Sequence, residues 1–122
     1  MRLRKIGVDA QVPWYKTSFG SWPYSFDVMD ILRGVIPQAI IGGAAGILAD
    51  NIAAGAAIGA ASAAVSRAQV WIELRAYPEE FKPETVTMPD VDTHNAFLML
   101  IQSALAGLGG ALITWGARKL TE

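Results

Sequence analysis

The residues most often used for catalysis or metal binding are scarce in this chain. It has one histidine and no cysteine, which excludes disulfides, thiolate metal sites and cysteine nucleophiles. His94 stands beside Asp92 and Thr93 just before an apolar segment, a position typical of a helix cap or an interface residue. The glycines lie in apolar segments and form no phosphate-binding loop with a lysine. The sequence therefore predicts no enzyme activity and no catalytic, cofactor-binding or metal-binding residues.

A second group of residues with chemical potential is acidic and lies in a proline-containing stretch. Carboxylates offer oxygen ligands to a cation, but the spacing here does not match an EF-hand loop. Recurrent prolines favour an extended segment, so we interpret the stretch as a solvated acidic strap. The acids are Glu79, Glu80, Glu84, Asp90 and Asp92.

Asp50 is the one residue for which we weigh a functional role. With Asn51 it forms the only strongly polar break in the small and apolar stretch 34–66. An acid between two apolar helices could act as a proton or ion relay. Aspartate and asparagine also favour turns and helix caps, which would place Asp50 at the tip of a hairpin. The sequence favours the turn and leaves the relay as the alternative.

The same stretch decides how often the chain would cross a membrane. As one straight helix it would be about 50 Å long, whereas the hydrocarbon core of a bilayer is about 30 Å thick. In one arrangement, 34–49 and 52–70 form a helical hairpin and the protein crosses three times. In the other, the stretch crosses once and the protein crosses twice, which fits the positive-inside rule better but buries Asp50. We favour the hairpin.

The strongest single signal is the apolar stretch 96–115. Its twenty residues carry no charge, and about twenty apolar residues suffice to span a bilayer. Trp115, followed by Arg118 and Lys119, is typical of an aromatic and basic anchor at a membrane surface. Residues 1–30 are rich in Trp, Tyr, Pro and Gly. We therefore expect an irregular N-terminal segment there, with Trp14 and Trp22 as further interface anchors. Trp71 is placed near an interface on the same grounds.

Small residues recur every four positions in all three apolar stretches. Residues four apart share one face of a helix, and small side chains let helix backbones approach closely inside a membrane. We therefore predict that helices pack along Gly42, Gly46, Gly55, Gly59, Ser103, Gly107 and Ala111.

The glycine spacing over about 39–66 resembles that of glycine-zipper membrane hairpins, which include inner-membrane import and scaffold proteins. The pattern of an arginine and an aspartate at set positions between the glycines, which those import proteins carry, is not met here. The resemblance therefore implies a packed hairpin and does not extend to membership of that group.

Composition agrees with a membrane setting. Hydrophobic residues make up 52% of the 122 residues and charged residues 17%, against about 25% charged in soluble domains. The formal net charge of −1 gives no basic face for nucleic acid. We expect the partners to be a lipid bilayer and other membrane subunits or further copies of the chain, without a small-molecule substrate.

These features predict an all-α integral membrane protein with two or three transmembrane helices and a Gly/Ala-rich helical hairpin. Its expected role is that of a structural, non-catalytic subunit of a large assembly, such as a bioenergetic complex or a membrane-containing virion. A self-oligomerising pore, holin-like or genome-delivering, and a soluble Ala-rich packing protein of a fibre or capsid are the alternatives. The expected segments are an interfacial region 1–30, a hairpin or long helix 31–75, an acidic connector 76–95, a transmembrane helix 96–116 and a basic tail 117–122.

Overall fold

The computed structural model describes residues 14–76 and 88–122 and is mostly helical over these ranges. A 3-10 turn is followed by two short strands and then by helices to the end of the chain. The elements are the turn Trp14–Lys16, β1 Ser18–Ser21, β2 Tyr24–Asp27, α1 Val28–Gly34, α2 Ile36–Ala49, α3 Ile52–Ala76 and α4 Met88–Thr121.

The N-terminal region differs from the expected irregular segment because β1 and β2 pair as an antiparallel hairpin. Phe19 lies opposite Phe26 in the register, with ring centroids 5.5 Å apart. Gly20 has a φ of 79°, a conformation that side chains disfavour. Each strand is only four residues long, so the alternation of apolar and polar residues is too short to predict the β-hairpin.

Asp27 ends the hairpin and starts the first helix. Its carboxylate accepts a hydrogen bond from the Asp30 N–H at 2.8 Å, and the Asp30 carboxylate accepts one from the Asp27 N–H at 2.9 Å. This reciprocal arrangement is a capping box, which satisfies free donors of the first helical turn. Val35 alone separates α1 from α2, and Pro37 lies in the first turn of α2, where proline is tolerated.

The long apolar stretch is broken into two helices at Asp50 and Asn51. Asp50 adopts the left-handed conformation, with φ 51° and ψ 48°. The Asn51 N–H donates to the Gly46 carbonyl at 3.0 Å and the Asp50 N–H to the Ile47 carbonyl at 3.2 Å, which is the Schellman pattern of helix termination. The Asn51 side chain then accepts from the Ala54 N–H and caps α3. The stretch is therefore two helices, and the single tilted helix considered above does not form.

The last helix is longer than the predicted 96–116 at both ends. It begins at Met88 and continues to Thr121, so the C-terminal part of the expected connector is helical. Polar side chains near its start bond to carbonyls one turn earlier: Thr93 to Pro89 at 3.0 Å and Asn95 to Val91 at 2.9 Å. The extended strap predicted around Pro78 and Pro83 lies outside the described residues.

Two helical segments, Val28–Ala49 and Pro89–Thr121, are long and apolar enough to cross a membrane by length and composition. α3 lies between them in sequence and packs against both. Its interior is made mostly of alanine and glycine, which contribute little to membrane insertion compared with leucine or isoleucine.

The three long helices form a bundle. Gly42 faces Gly59 and Gly46 faces Gly55, so α2 and α3 are antiparallel. Gly55 faces Gly110 and Gly59 faces Ala106, so α4 is antiparallel to α3 and parallel to α2. The bundle therefore places the β-hairpin and the start of α4 at one end and the Asp50–Asn51 turn at the other.

Candidate functional site

The α2–α3 seam brings helix backbones into direct contact. A Cβ added to Gly42 would lie 2.5 Å from the Gly55 carbonyl oxygen and 2.7 Å from the Gly59 Cα. No L side chain fits such a gap without a backbone shift. The seam continues to the Ser62 hydroxyl, which donates to the side-chain oxygen of Gln38. Gly42, Gly46, Gly55 and Gly59 thus all lie where α2 and α3 meet.

The α4 residues that are most buried against the bundle lie one position before the residues that the small-residue spacing predicted. The fully or nearly fully buried positions of α4 include Gln102, Ala106, Gly110 and Thr114. Gly107 contacts the Ala56 and Ala60 region of α3. Ser103 and Ala111, which were expected on the seam, are half-buried beside it. The spacing rule favoured small residues, whereas the buried line includes Gln102 and Thr114, whose polar groups are satisfied inside the bundle.

Thr114 shows how a polar residue is accommodated there. Its hydroxyl donates to the Gly110 carbonyl at 2.8 Å, so the buried oxygen needs no partner from another helix. The same hydroxyl is the nearest atom to a Cβ added at Gly46 or at Gly55. One threonine of α4 therefore fills the space between two glycines of the hairpin.

A cluster of polar side chains, which we call the Arg67 cluster, lies at the β-hairpin end of the bundle. It comprises Asp30, Arg67, Asn95 and Gln102. Arg67 Nε donates to Gln102 Oε1 at 3.1 Å, and Arg67 Nη1 donates to Asn95 Oδ1 at 3.4 Å. Arg67 Nη2 lies 3.6 Å from Asp30 Oδ1, and the two side chains are only 13% and 23% exposed. The cluster therefore joins α1, α3 and α4 through one guanidinium.

Gln102 connects the cluster to the backbone of α1. Its Nε2 donates to the Asp30 carbonyl oxygen at 2.9 Å. The side chain crosses α1 at Gly34, where any Cβ would collide with the Gln102 amide. Gly34 is thus needed for close approach rather than for backbone conformation.

Next to the Arg67 cluster, aromatic and charged groups tie the helix ends together. Trp71 Nε1 donates to Asp92 Oδ1 at 2.8 Å, and Arg75 donates to the other oxygen of that carboxylate. The hydrogen bond and charge of Asp92 raise the pKa of Arg75, which stays a cation at any physiological pH. His94 packs against Trp22 with ring centroids 4.5 Å apart. Its Nδ1 lies 3.0 Å from the Pro23 carbonyl oxygen and donates to it, because a carbonyl can only accept.

At the opposite end, Asp50 is exposed in the turn and Arg118 Nε lies 3.5 Å from its Oδ1. Lys119 pairs with Glu122 at 3.3 Å. Trp115 is half exposed on α4, and Trp14 and Trp22 are about as exposed at the other end of the bundle. Of the four predicted tryptophan anchors, Trp71 has its indole N–H bonded to another helix.

Sequence reasoning did not single out the Arg67 cluster. Arg67 and Asp30 each read as an ordinary charge near the end of an apolar stretch, and their pairing spans 37 positions. The sequence did contain one indication of this cluster. Asn95 and Gln102 are uncharged polar residues seven positions apart, on one face of an otherwise apolar helix. Intramembrane polar residues on one face commonly turn inward.

The described side chains of these sites make packing contacts, hydrogen bonds and ion pairs. Within residues 14–76 and 88–122, no group of three or more His, Asp or Glu side chains is placed to hold a metal ion. His94 contacts Trp22 and a carbonyl, with no hydroxyl nucleophile bonded to it among the described residues. No family model, curated protein or solved structure matches the chain.

Proposed function

We propose that this chain is a structural, non-catalytic subunit that crosses a membrane three times and packs against neighbouring subunits of a larger assembly. The observation that carries the proposal is the distribution of side-chain size in the bundle. Buried positions hold mainly glycine, alanine and small or amide side chains. Large aliphatic side chains face outward, including Ile40, Leu48, Leu100, Leu108 and Leu112 at 55% to 89% exposure.

This distribution is the reverse of that in a water-soluble helical bundle, where leucine and isoleucine fill the core. In lipid, an outward leucine is already in an apolar solvent, and close contact between small residues drives helix association. The size distribution therefore supports a lipid environment and argues against the alternative of a soluble Ala-rich packing protein.

The case for neighbouring subunits comes from α3. In the half of α3 nearest the turn, the outward face carries the exposed Ala53, Ala57 and Ala61. The large exposed side chains of that half and the next turns are Ile58 and Val65. Alanine gives little insertion free energy, so this face gains more from contact with protein than from contact with lipid tails. This alanine-bearing face of α3 therefore supports a role in which the subunit packs beside other membrane helices.

Extraction and solution behaviour test the proposal. We expect the protein to remain in membranes washed with alkaline carbonate and to be released by detergent. After purification it should be heterogeneous or unstable in detergent unless its neighbours are co-purified. Release by carbonate alone would contradict a spanning bundle, and a stable, monodisperse monomer would contradict the subunit role. Dye leakage from liposomes reconstituted with the protein alone would favour the pore instead.

A further inference from the structure

An open groove of about 270 Å³ lies beside the Arg67 cluster, between α1 and α3. Charged and hydroxyl groups line its polar side, and apolar side chains line the rest. The residues that matter here are Asp27, Met29, Arg33, Ser66, Arg67 and Val70. The groove therefore offers both polar and apolar contacts at one site on the bundle surface.

The level of the groove along the bundle is set by its arginines. Arg67 is 17 residues from Asp50, and the α3 backbone between them places it about 25 Å from the turn. Arg33 lies in α1, just beyond the start of α2, and lines the same groove as Arg67. Residues 34–49, 52–66 and 95–117 between the two ends carry no charge. The hydrocarbon core of a bilayer is about 30 Å thick, so a membrane centred on the uncharged segments would have its headgroups near the level of the groove.

The charges in the groove are not equally free. Arg67 and Asp30 neutralise each other, and Gln102 and Asn95 hold the guanidinium. Arg33 is exposed and has no ion pair among the described residues. Asp27 uses Oδ1 to cap α1, and no described residue donates to its second oxygen. The groove thus retains Arg33 as a cation without an ion pair, and the second oxygen of Asp27, whose carboxylate lies beside that of Asp30.

We propose that this groove binds the headgroup of a zwitterionic aminophospholipid, an inference that rests on the membrane location proposed above. Arg33 binds the phosphate, because guanidinium groups match phosphate oxygens with paired N–H donors, and Ser66 donates from its hydroxyl. Asp27 accepts from the primary ammonium. Met29 and Val70 contact the glycerol and upper acyl carbons.

Native mass spectrometry of the full-length protein in detergent micelles tests the site, with dioleoyl phosphatidylethanolamine, phosphatidylcholine and phosphatidylglycerol as probes. We expect phosphatidylethanolamine to bind several-fold more tightly than the other two. The quaternary ammonium of choline has no N–H to donate to Asp27, and the glycerol headgroup has no cation. Equal binding of all three lipids would overturn the proposal.

Variants assign the contacts. Arg33→Gln should weaken phosphatidylethanolamine binding about tenfold, the equivalent of one charge-assisted contact. Asp27→Asn keeps an N-cap side chain and should remove the preference for ethanolamine over choline. Arg118→Gln, at the opposite end of the bundle, is the matched control. Equal effects of Arg33→Gln and Arg118→Gln would contradict a site in the groove.

Two further experiments show whether the groove proposal fails alone or together with the membrane proposal. Competition by free phosphoethanolamine at concentrations similar to the lipid would show that a soluble headgroup is the ligand and would overturn the lipid. If the protein resists carbonate extraction but shows no preference for ethanolamine, the groove proposal fails while the membrane proposal stands. Release by carbonate would overturn both.

Discussion

At the scale of single residues, packing in this bundle depends on the absence of side chains. Gly59 is the clearest case because a Cβ there would lie 2.5 Å from the Ala106 carbonyl oxygen, which is backbone and cannot rotate away. Gly116 is a glycine of α4 with no neighbouring atom within 4 Å of such a Cβ. Gly59 and Gly116 therefore represent a helical glycine with a close backbone neighbour and one without.

We predict that Gly59→Ala destabilises the bundle by about 1–3 kcal/mol, the usual cost of overpacking. Gly116→Ala should be neutral or stabilising by up to about 1 kcal/mol, because alanine is the better helix former. Unfolding followed by circular dichroism in detergent, with increasing dodecyl sulfate, measures both. Equal stability of the two variants would contradict a seam at Gly59.

The Arg67 cluster gives a second prediction at this scale. Arg67→Leu leaves the Asp30 carboxylate without its cation and should cost about 2–3 kcal/mol, somewhat less than for a fully enclosed pair because Asp30 keeps some solvent contact. Asp30→Leu should cost a similar amount, and the double variant less than the sum by at least about 0.5 kcal/mol. The same unfolding titration measures the cycle, and strict additivity would show that the two side chains are not coupled.

At the scale of elements, the hairpin depends on two residues that end one helix and begin the next. Asn51 caps α3 through its side-chain oxygen, 3.2 Å from the Ala54 N–H. We predict that Asn51→Ala costs about 1 kcal/mol, the typical loss for an N-cap, and that Asn51→Ser, which also caps, costs little. Unfolding of both variants in detergent checks this. A neutral Asn51→Ala would mean that solvent caps the helix equally well.

Asp50 provides the second test of the turn, because its left-handed backbone suits glycine better than aspartate. Asp50→Gly should leave the protein as stable as the parent or more stable by about 0.5–1 kcal/mol. It should also leave any process that the assembly drives across the membrane unchanged, since we interpret Asp50 as a turn residue exposed beside Arg118. A stable Asp50→Gly variant that abolishes proton or ion movement would favour the relay instead.

At the scale of the whole molecule, the bundle fixes which parts of the chain share an end. Ser21 lies at the β-hairpin end, whereas Asn51 and Thr121 lie at the end with the turn. We predict that single cysteines at Asn51 and Thr121 label from one side of a membrane and a cysteine at Ser21 from the other. The native chain has no cysteine, so each signal is unambiguous. Labelling of Ser21 and Thr121 from the same side would contradict three crossings.

Much of the helical architecture was readable from sequence. Length and hydropathy indicated helices in the apolar stretches, and two segments are indeed long and apolar enough to cross a membrane. The polar pair at Asp50 and Asn51 marked the position where the helix breaks. These features are local, because hydropathy and capping depend on residues within a few positions of each other.

The remaining features depend on contacts between distant residues. The β-hairpin is held by the Phe19–Phe26 pair and by the packing of Tyr24 on Phe97. Strands of four residues are too short for the sequence to predict these contacts. The extension of α4 back to Met88 depends on contacts that Asp92 and Asn95 make with α3. Local polarity alone placed these residues in a connector.

The sequence by itself determined the apolar central parts of the long helices, the position where the long stretch turns and the recurrence of small residues, since each follows from side chains close together in the chain. Only the tertiary structure decided which line of α4 faces inward, that Gln102 crosses α1 at Gly34, and that Asp30 and Arg67 meet. Several lines of small residues could pack equally closely in an Ala- and Gly-rich bundle. On the inward line of α4, Gln102 and Thr114 find hydrogen-bond partners, which matters because a buried polar group without one is costly. The Ser103 hydroxyl beside that line has no partner among the described residues.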